Sequence, residues 1–433
     1  MKSWPLFLIV LSLFLIAVSP DLWSDGMFLD GVTYADVALN ISEKNGSIWD
    51  LHYSSTLFPQ FNEHPPLGMY LLSLFYKVLG ESIIVERIFS FFTIITSSLI
   101  LQLIWTKIAI KKYHNLGFIP IFLFLTVPVV MWATKNNMLE NTMMVFTNFS
   151  LLMMVKSVEQ PLKKSIISIC IASFTLMLAF LTKGPTSLYL LSFFFWFGLF
   201  NDKTLVKRFI FRDTFLLLSF LVLSFALLFL FIPEAYESFQ RYINKQVVGS
   251  LENVVTVDTR FFIVKRFFSE LIPMLIILVL VLIFNRKNIK NISKKWVFIL
   301  LALSFSGILP IMISMKQSGF YILTVYPIVA IAIALIITPS ISPFFEKLGS
   351  NKKIITSVAI ILFIGALIFS NYQTNKIGKD KEMLTDIYKI INFLDNQKTI
   401  GVSKSLSSNW AAHAYFYRLK RVSLDANNEN DFF

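Results

Sequence analysis

Residues 214–232 read TFLLLSFLVLSFALLFLFI, a run without a single charged side chain. An α-helix rises 1.5 Å per residue, so a helix of this run is about 28 Å long, close to the roughly 30 Å of hydrocarbon in a bilayer. At that depth no water satisfies open backbone groups, and a helix satisfies its own. The run therefore predicts a transmembrane helix.

Further apolar runs on both sides of it account for the composition of the chain. Of 433 residues, 56% are hydrophobic and 15% are charged, and the mean hydropathy is +0.68. Soluble domains are about half apolar and a quarter charged, so the surplus of apolar residues must face lipid. The runs span approximately residues 4–20, 67–80, 88–105, 116–132, 141–155, 165–182, 186–200, 214–232, 267–284, 296–313, 320–337 and 354–370. We predict an all-α polytopic membrane protein.

The first run, residues 4–20, follows Lys2 as the apolar part of a secretory signal peptide would. It lacks a small-x-small cleavage site before Pro20, so we predict a retained first span. Cleavage would leave the topology of the later runs unchanged.

The basic residues indicate which loops face the cytoplasm. The formal net charge is +13, and its lysines lie mainly in short loops between apolar runs. This distribution is typical of the positive-inside rule and of contact with lipid headgroups, so no nucleic-acid partner is expected. The basic clusters lie within residues 107–112, 156–164, 203–212, 286–295 and 347–353. With the N-terminus cytoplasmic, all of them fall inside only if the run 67–80 does not cross.

The run 67–80 is short for a span, follows Pro65-Pro66 and contains Lys77. We therefore predict a re-entrant or interfacial helix there, and about eleven membrane spans in all. On this topology the first loop, residues 21–87, lies on the external side together with the loops around Asn137, Lys183 and Lys316.

We divide the chain into a transmembrane domain, residues 1–370, and a short external tail, residues 371–433. The tail combines a helical stretch at 382–394 with a strand-like stretch at 399–403. It is expected to be α/β-like and shorter than a full soluble domain.

The first loop is acidic, and Asp30 is its main candidate for chemistry. Asp30, Gly31 and Tyr34 stand at the start of an expected amphipathic helix. A carboxylate at this position either caps the helix or accepts a proton from an attacking group. Physical reasoning on the sequence does not separate Asp30 from Asp25 and Asp36.

Glu63 and His64 precede Pro65-Pro66, which fixes the direction of the chain. Both side chains are therefore expected to be held in place, the alternative being a solvated pair in a loop. Acidic residues and histidine are able to bind a divalent cation, so a metal cofactor is left open. No ligand spacing indicates a metal site, and no cofactor is expected with certainty.

Three polar interruptions separate apolar runs: Lys135 and Asn137 in the first, Lys183 in the second, Lys316 and Tyr321 in the third. A single lysine near a membrane boundary commonly extends to the headgroups. Three on one side, opposite an acidic loop, favour the binding of an anionic phosphate or pyrophosphate.

Five motifs occur in a fixed order. They are Asp30-Gly31-x-x-Tyr34, Glu63-His64-Pro65-Pro66-Leu67-Gly68, Glu86-Arg87, Phe180-Leu181-Thr182-Lys183-Gly184-Pro185 and Lys316-x4-Tyr321-x5-Pro327. In this order they resemble the GT-C membrane glycosyltransferases, and most the branch of the protein O-mannosyltransferases and the lipid A aminoarabinose transferase. The resemblance covers about residues 1–340.

The resemblance implies an inverting hexosyl- or pentosyltransferase. Its donor would be a polyprenyl-phosphate-linked sugar, and its acceptor a lipid or protein on the non-cytoplasmic face. Asp30 would act as base or orienting carboxylate with Glu63, while Lys183 and Lys316 would stabilise the departing phosphate. The other substrate-binding candidates are Tyr34, His64, Arg87, Lys135, Asn137 and Tyr321. The short loops and tail favour a bacterial cytoplasmic membrane.

Two positions depart from the family pattern. His64 stands where the aminoarabinose branch usually has lysine, and Asn137 where the family often has aspartate. An imidazole is a weaker phosphate ligand than lysine at pH 7. Neither lipid A nor aminoarabinose is therefore assumed as a substrate.

The alternative function is a lipid or polysaccharide transporter, flippase or ligase. A transporter places charged residues near the bilayer midplane on repeated, broken helices, whereas here they are expected at one face. A purely structural membrane scaffold would leave the acidic loop and the three lysines without a role.

Overall fold

A computed structural model describes residues 3–201, 207–249, 254–284, 293–348, 351–394 and 398–426. Four residues of the basic clusters, Lys203, Arg286, Lys287 and Lys290, lie outside these ranges, as does the end of the tail from residue 427.

The described chain is mainly helical. Its first helices are α1 Trp4–Leu22, α2 Leu29–Ser42, α3 Leu67–Leu79, α4 Ile83–Ile108, α5 Phe118–Leu125, α6 Pro128–Lys135, α7 Leu139–Glu159, α8 Leu162–Lys183 and α9 Phe193–Leu199. There follow α10 Thr214–Phe231, α11 Pro233–Tyr242, α12 Phe262–Phe284, α13 Lys294–Ile308, α14 Tyr326–Leu348, α15 Lys352–Gln373, α16 Lys381–Ile390, α17 Lys404–Ser407 and α18 Trp410–Lys420. Short 3-10 helices cover Lys111–Leu116, Pro185–Ser192, Leu309–Ile313, Gly319–Val325 and Ile391–Phe393, and π-helices cover Lys207–Asp213 and Ile243–Val248. Strands β1 Thr399–Gly401 and β2 Ser423–Asp425 pair in parallel.

Within the described residues, eight helices are long and apolar enough to cross a membrane, or nine if α5 and α6 form one bent span. The polytopic all-α fold is therefore confirmed. The prediction of about eleven spans also included α7 and residues 185–199. The helix α7 has 21 residues but is rich in polar side chains that are buried inside the bundle, and Pro185–Leu199 is a shorter apolar helix.

The helices α5 and α6 meet at an angle of 76°. The break falls at Pro128, which has no backbone N–H to continue a helical ladder. The N–H of Val129 donates instead to Glu270 Oε2 of α12 at 2.7 Å. The bend directs the end of α6, at Lys135, toward the start of α2.

The helix α3 has 13 residues and is about 20 Å long, too short to cross the hydrocarbon. It begins directly after Pro66 and packs against α2, α4 and α8. This agrees with the re-entrant or interfacial helix that the lysine distribution predicts.

Two apolar cores hold the molecule together. The larger core fills the helix bundle, and the smaller one lies between α2, α3 and the tail. In the smaller core Val32 and Ala35 of α2 are fully buried, as are Ala412 and Ala414 of α18. The tail is thus packed against the first loop.

Polar contacts add to this packing. Arg418 of α18 forms an ion pair with Glu86 of α4, and both side chains are buried. The Tyr388 hydroxyl of α16 donates to Asp25 just before α2. These contacts fix the tail over the first loop, at the end of the bundle where the candidate site lies.

Candidate functional site

A chain of hydrogen bonds links Asp30 to Lys183 through Tyr34. Asp30 and Tyr34 lie one turn apart on α2 and so share a face of the helix. The Tyr34 hydroxyl donates to Asp30 Oδ2 at 3.2 Å and accepts from Lys183 Nζ at 2.7 Å. Burial, and after it the Asp30 carboxylate, raise the pKa of Tyr34 well above its ordinary value, so the phenol keeps its proton. Asp30 is not the helix cap, because α2 begins at Leu29 with Phe28 in the cap position.

The structure separates Asp30 from the two acids that the sequence left open. Asp25 is buried and accepts from a backbone N–H at 2.7 Å and from the Tyr388 hydroxyl. Asp36 is fully buried on α2, and burial raises its pKa well above its ordinary value although Arg418 opposes the shift. Of the three, Asp30 alone is among the residues that line the cavities described below.

Lys183 is the last residue of α8 and is buried beside Glu140. Gly184 ends the helix with a φ of 88°, a conformation that residues with a Cβ rarely adopt. The ammonium lies 3.3 Å from Glu140 Oε1 and 3.4 Å from His64 Nε2. A cation at a helix C-terminus is stabilised by the helix dipole. Lys183 therefore points into the protein and does not extend to the headgroups.

Gln246 connects the second cation, Lys316, to Glu63. In the orientation that satisfies both neighbours, the Gln246 amide donates to Glu63 Oε2 at 2.9 Å and accepts from Lys316 Nζ at 3.1 Å. Lys245 Nζ lies 3.0 Å from the other oxygen of Glu63. Glu63 is thus partnered on both oxygens, unlike a solvated loop residue, and the π-helix Ile243–Val248 covers this side of the site.

His64 is half-buried next to Tyr34, with 5.3 Å between the two ring centres. Burial, and after it Lys183 and Lys316, lower the pKa of His64 well below its ordinary value. The imidazole is therefore neutral at pH 7. With a neutral His64, Lys183 and Lys316 supply two positive charges to this part of the site. A lysine at position 64 would add a third.

These side chains border two adjoining cavities, which we call the inner and the outer chamber. The inner chamber, about 340 Å³, is mainly apolar and lies against the 3-10 helices at Pro185–Ser192 and Leu309–Ile313. The outer chamber, about 350 Å³, is bordered by Asp30 and Glu63 and by aromatic rings. The residues that line both chambers, which we call the waist, are His64, Lys183, Gln246, Lys316 and Tyr321.

The structure brings most of the predicted site residues together. Those that line a chamber are Asp30, Tyr34, Glu63, His64, Lys183, Lys316 and Tyr321. Arg87, Lys135 and Asn137 lie behind α2 and are absent from the described lining of both chambers. We interpret these three as residues that position the start of α2.

Their contacts support this interpretation. The Arg87 guanidinium donates to the backbone oxygen of Gly26 at 2.7 Å and also to that of Lys135. The Asn137 amide donates to the backbone oxygen of Gly31 at 3.3 Å, and Lys135 pairs with Asp21. The bonds to Gly26 and Gly31 hold the start of α2 directly, and those to Lys135 fix the end of α6 against α4 and α1.

Gly31 shows how closely α2 approaches the end of α6. A Cβ on Gly31 would lie 1.9 Å from the backbone oxygen of Asn136, a distance that no side chain tolerates. The N–H of Phe28 donates to Asn136 Oδ1 at 2.7 Å. The glycine after Asp30 is therefore required by packing, and it sets the position of Asp30.

Several residues that line a chamber were not among those predicted, and the proposals below use three of them, Glu140, Gln246 and Trp410, while Tyr242 borders the inner chamber. Glu140 lies in the polar interruption 135–140 and could have been selected as an acid beside an apolar run. The other three come from the segment after α10 and from the tail, and nothing in their local sequence distinguishes them.

Among the residues that the structure describes, no group of three or more His, Cys, Asp or Glu side chains is arranged to hold a metal ion. The fixed positive charges at the waist are those of Lys183 and Lys316.

Residues 63–232 match a family model described as dolichyl-phosphate-mannose-protein mannosyltransferase. This range begins at Glu63 and includes Arg87, Glu140 and Lys183. No curated protein sequence matches the chain.

Several solved structures share the fold. ArnT from Cupriavidus metallidurans bound to undecaprenyl phosphate superposes with a TM-score of 0.68 at 13% identity, over 99% of this chain and 87% of ArnT. Its apo state gives 0.67 at 13% identity, over 97% and 85%. The apo oligosaccharyltransferase of Archaeoglobus fulgidus gives 0.57 at 11% identity, over 98% of this chain and 64% of that protein. The resemblance predicted from the five motifs is confirmed.

Proposed function

We propose that this chain, which has the GT-C glycosyltransferase fold, transfers a sugar from a polyprenyl-phosphate-linked donor to a lipid or protein acceptor. The observation that carries the proposal is the pair of chambers with Asp30 on one side and the cations Lys183 and Lys316 at the waist. The family match and the undecaprenyl phosphate bound by ArnT support the class of donor. The lysine distribution favours the non-cytoplasmic face, and the short loops favour a bacterial cytoplasmic membrane.

The donor phosphate would bind at the waist. Lys183 and Lys316 supply two positive charges there, and Glu140 and Gln246 hold them in place before any substrate arrives. Cations fixed where negative charge develops stabilise a transition state more than mobile ones, because they need no reorganisation. The apolar inner chamber beside them suits the first units of a polyprenyl chain.

The acceptor would approach from the outer chamber, at Asp30. As the acceptor oxygen attacks the anomeric carbon, its proton passes to the Asp30 carboxylate. The bond between the anomeric carbon and the phosphate oxygen breaks, and its electron pair leaves with the phosphate. Attack from the side opposite the phosphate inverts the configuration of a hexosyl or pentosyl group. With a phosphate as acceptor no proton is lost, and Asp30 then orients the acceptor.

Glu63 would contribute by position. Both of its oxygens are engaged, one by Lys245 and one by Gln246. We therefore assign Glu63 to holding Gln246, and through it Lys316, at the waist. Tyr34 holds Asp30 by its hydroxyl and separates the carboxylate from the Lys183 ammonium, so the two charges are available to different parts of the substrate.

The experiment replaces Asp30 with Asn and compares transfer in membranes that hold equal amounts of each chain. A panel of radiolabelled polyprenyl-phosphate sugars is offered, and label on endogenous lipid and protein is counted. We expect Asp30→Asn to lower transfer about 100-fold or more, the usual contribution of a positioned general base. Asp50→Asn is the matched control, an exposed aspartate of the same loop.

Equal transfer by the wild-type chain and Asp30→Asn would remove Asp30 from the reaction. Failure of every donor in the wild-type chain would contradict the transferase and favour the transporter or flippase.

A further inference from the structure

We propose that the outer chamber binds a sugar ring of the acceptor and that Trp410 of the tail is its stacking platform. The inference rests on the proposed transferase function and specifies its acceptor: the attacking hydroxyl belongs to a saccharide, such as a glycan or the headgroup of a glycolipid.

The outer chamber is lined by four aromatic rings that do not border the inner chamber, whose own rings are those of tyrosines and His64. Phe28, Phe61, Phe320 and Trp410 border the outer chamber only, and they come from four separate segments of the chain. The convergence of rings from distant segments on one cavity is the first observation behind the proposal.

Other aromatic rings support these four from behind. Trp132 stacks on Phe320 with 5.4 Å between ring centres and lies 5.0 Å from Phe28. Phe58 lies 4.7 Å from Trp410 in an edge-to-face arrangement. The backbone oxygen of Trp410 also accepts from the Tyr53 hydroxyl. The rings are thus held in fixed positions, as a recognition surface requires.

The chamber combines these rings with polar groups. Asp30, Thr33, Glu63, Thr256 and Ser318 also border it. A pyranose ring has apolar faces of C–H bonds that pack on the electron-rich face of an aromatic ring, and an edge of hydroxyl groups that need polar partners. The lining of the outer chamber matches both properties.

A peptide acceptor fits the lining less well. An extended peptide is usually bound through its backbone, by a sheet edge or another row of free backbone groups. The described residues around the chamber are helical or in loops, and the pair β1 and β2 is not part of its lining. An acyl chain would offer no hydrogen-bonding groups to Asp30, Thr33, Glu63, Thr256 and Ser318, which border the chamber.

The position of Trp410 relative to the waist assigns it to the acceptor. The waist, where we place the donor phosphate, borders both chambers, whereas Trp410 and Asp30 line only the outer one. The attacking hydroxyl must lie at Asp30, so the rest of the acceptor occupies the space beyond it. Trp410 is accordingly a specificity residue that binds the acceptor without taking part in bond making.

The first measurement identifies the acceptor atom. Membranes that hold the chain are incubated with a radiolabelled polyprenyl-phosphate hexose, and labelled products are analysed for the new linkage. We expect the label on a ring hydroxyl of a sugar. In parallel, the purified chain in nanodiscs free of glycoside detergents is assayed for hydrolysis of the same donor, in which water replaces the acceptor.

The linkage of the label and the hydrolysis of the donor test the two proposals separately. Label on serine, threonine or a phosphate, or hydrolysis without any labelled sugar ring, would overturn the saccharide acceptor and leave the transferase intact. Absence of both hydrolysis and transfer would overturn the transferase and this inference together.

The second measurement tests Trp410 directly. We expect Trp410→Leu to raise the KM for the labelled saccharide acceptor about fivefold, the order of one aromatic contact, and to lower transfer more than donor hydrolysis. Trp410→Phe keeps a ring and should recover most of the affinity. Phe393→Leu, an exposed aromatic of the same tail, is the control. Equal losses of hydrolysis and transfer in Trp410→Leu would place the ring at the donor and overturn the assignment.

Discussion

At the scale of single residues, the buried pair of Lys183 and Glu140 dominates the electrostatics of the site. The two charges lie 3.3 Å apart and both side chains are almost fully buried. Removal of one partner from a buried pair leaves the other uncompensated, which is more harmful than removal of both. This difference allows the structural role of Lys183 to be separated from its role toward phosphate.

We expect Lys183→Met to abolish transfer and to lower the free energy of unfolding by about 3–5 kcal/mol. The double variant Lys183→Met with Glu140→Gln should recover most of the stability and none of the transfer. Thermal melting in nanodiscs and the transfer assay measure the two effects. A double variant as unstable as the single one would show that the pair does not couple.

His64 makes the stability of the site depend on pH. Folding lowers its pKa, so the unfolded chain binds a proton that the folded chain excludes. The contribution of the neutral His64 to the free energy of unfolding is therefore complete above pH about 6.5, the ordinary pKa of histidine. It is lost as the pH falls below that value. We expect the melting temperature of His64→Gln to fall less between pH 7.5 and 5.5 than that of the wild type, by about 2 °C.

The control for this comparison is His52→Gln, in the same loop. A wild-type chain and a His64→Gln variant with the same dependence on pH would show that His64 is protonated as readily in the folded protein as outside it.

At the scale of elements, the close contact between α2 and the end of α6 positions Asp30, the carboxylate that we propose as base. We expect Gly31→Ala to lower transfer at least about tenfold, because a Cβ 1.9 Å from the Asn136 oxygen must displace α2 and with it Asp30. Gly365→Ala in α15 is the control, since nothing lies within 4 Å of its added Cβ. Unchanged transfer by Gly31→Ala would show that α2 adjusts without moving Asp30.

Most elements of the bundle could be predicted from the sequence, since an uncharged apolar run of span length has few alternatives in water or lipid. The short α3 was also recognised, from Pro66 and the distribution of lysines. The helix α7 shows the limit of this approach. Its polar residues are buried by contacts with other helices, so its local sequence did not reveal whether it faces lipid or protein.

At the scale of the whole molecule, the tail completes the first loop. Without the tail, the face of α2 with Val32 and Ala35 would be exposed, and Glu86 would lose Arg418. We expect a chain that lacks residues 374–433 to aggregate or fail to accumulate, since an unpaired buried charge alone costs about 3–5 kcal/mol. Size-exclusion chromatography of a fluorescent fusion measures this. A monodisperse truncated chain with the wild-type melting temperature would contradict the shared core.

The part of the candidate site that could be predicted from the sequence is formed by motif residues beside apolar runs. Asp30, Lys183 and Lys316 all line the chambers, as their common side of the membrane suggested. Gln246 and Trp410 were not found, because their roles arise from contacts between segments far apart in sequence. Arg87 is a candidate through the Glu86-Arg87 motif, and in the fold its guanidinium holds backbone carbonyls.

The ion pair between Glu86 and Arg418 joins residues 332 positions apart in the chain. At a synthesis rate of about 5–20 residues per second, a ribosome needs from about 17 s to about a minute to make that intervening stretch. Throughout this time Glu86 lacks Arg418, and the part of the first loop that α18 covers in the folded chain is uncovered, while the helices between are being made. The site is therefore assembled late in biosynthesis, after the bundle that supports it.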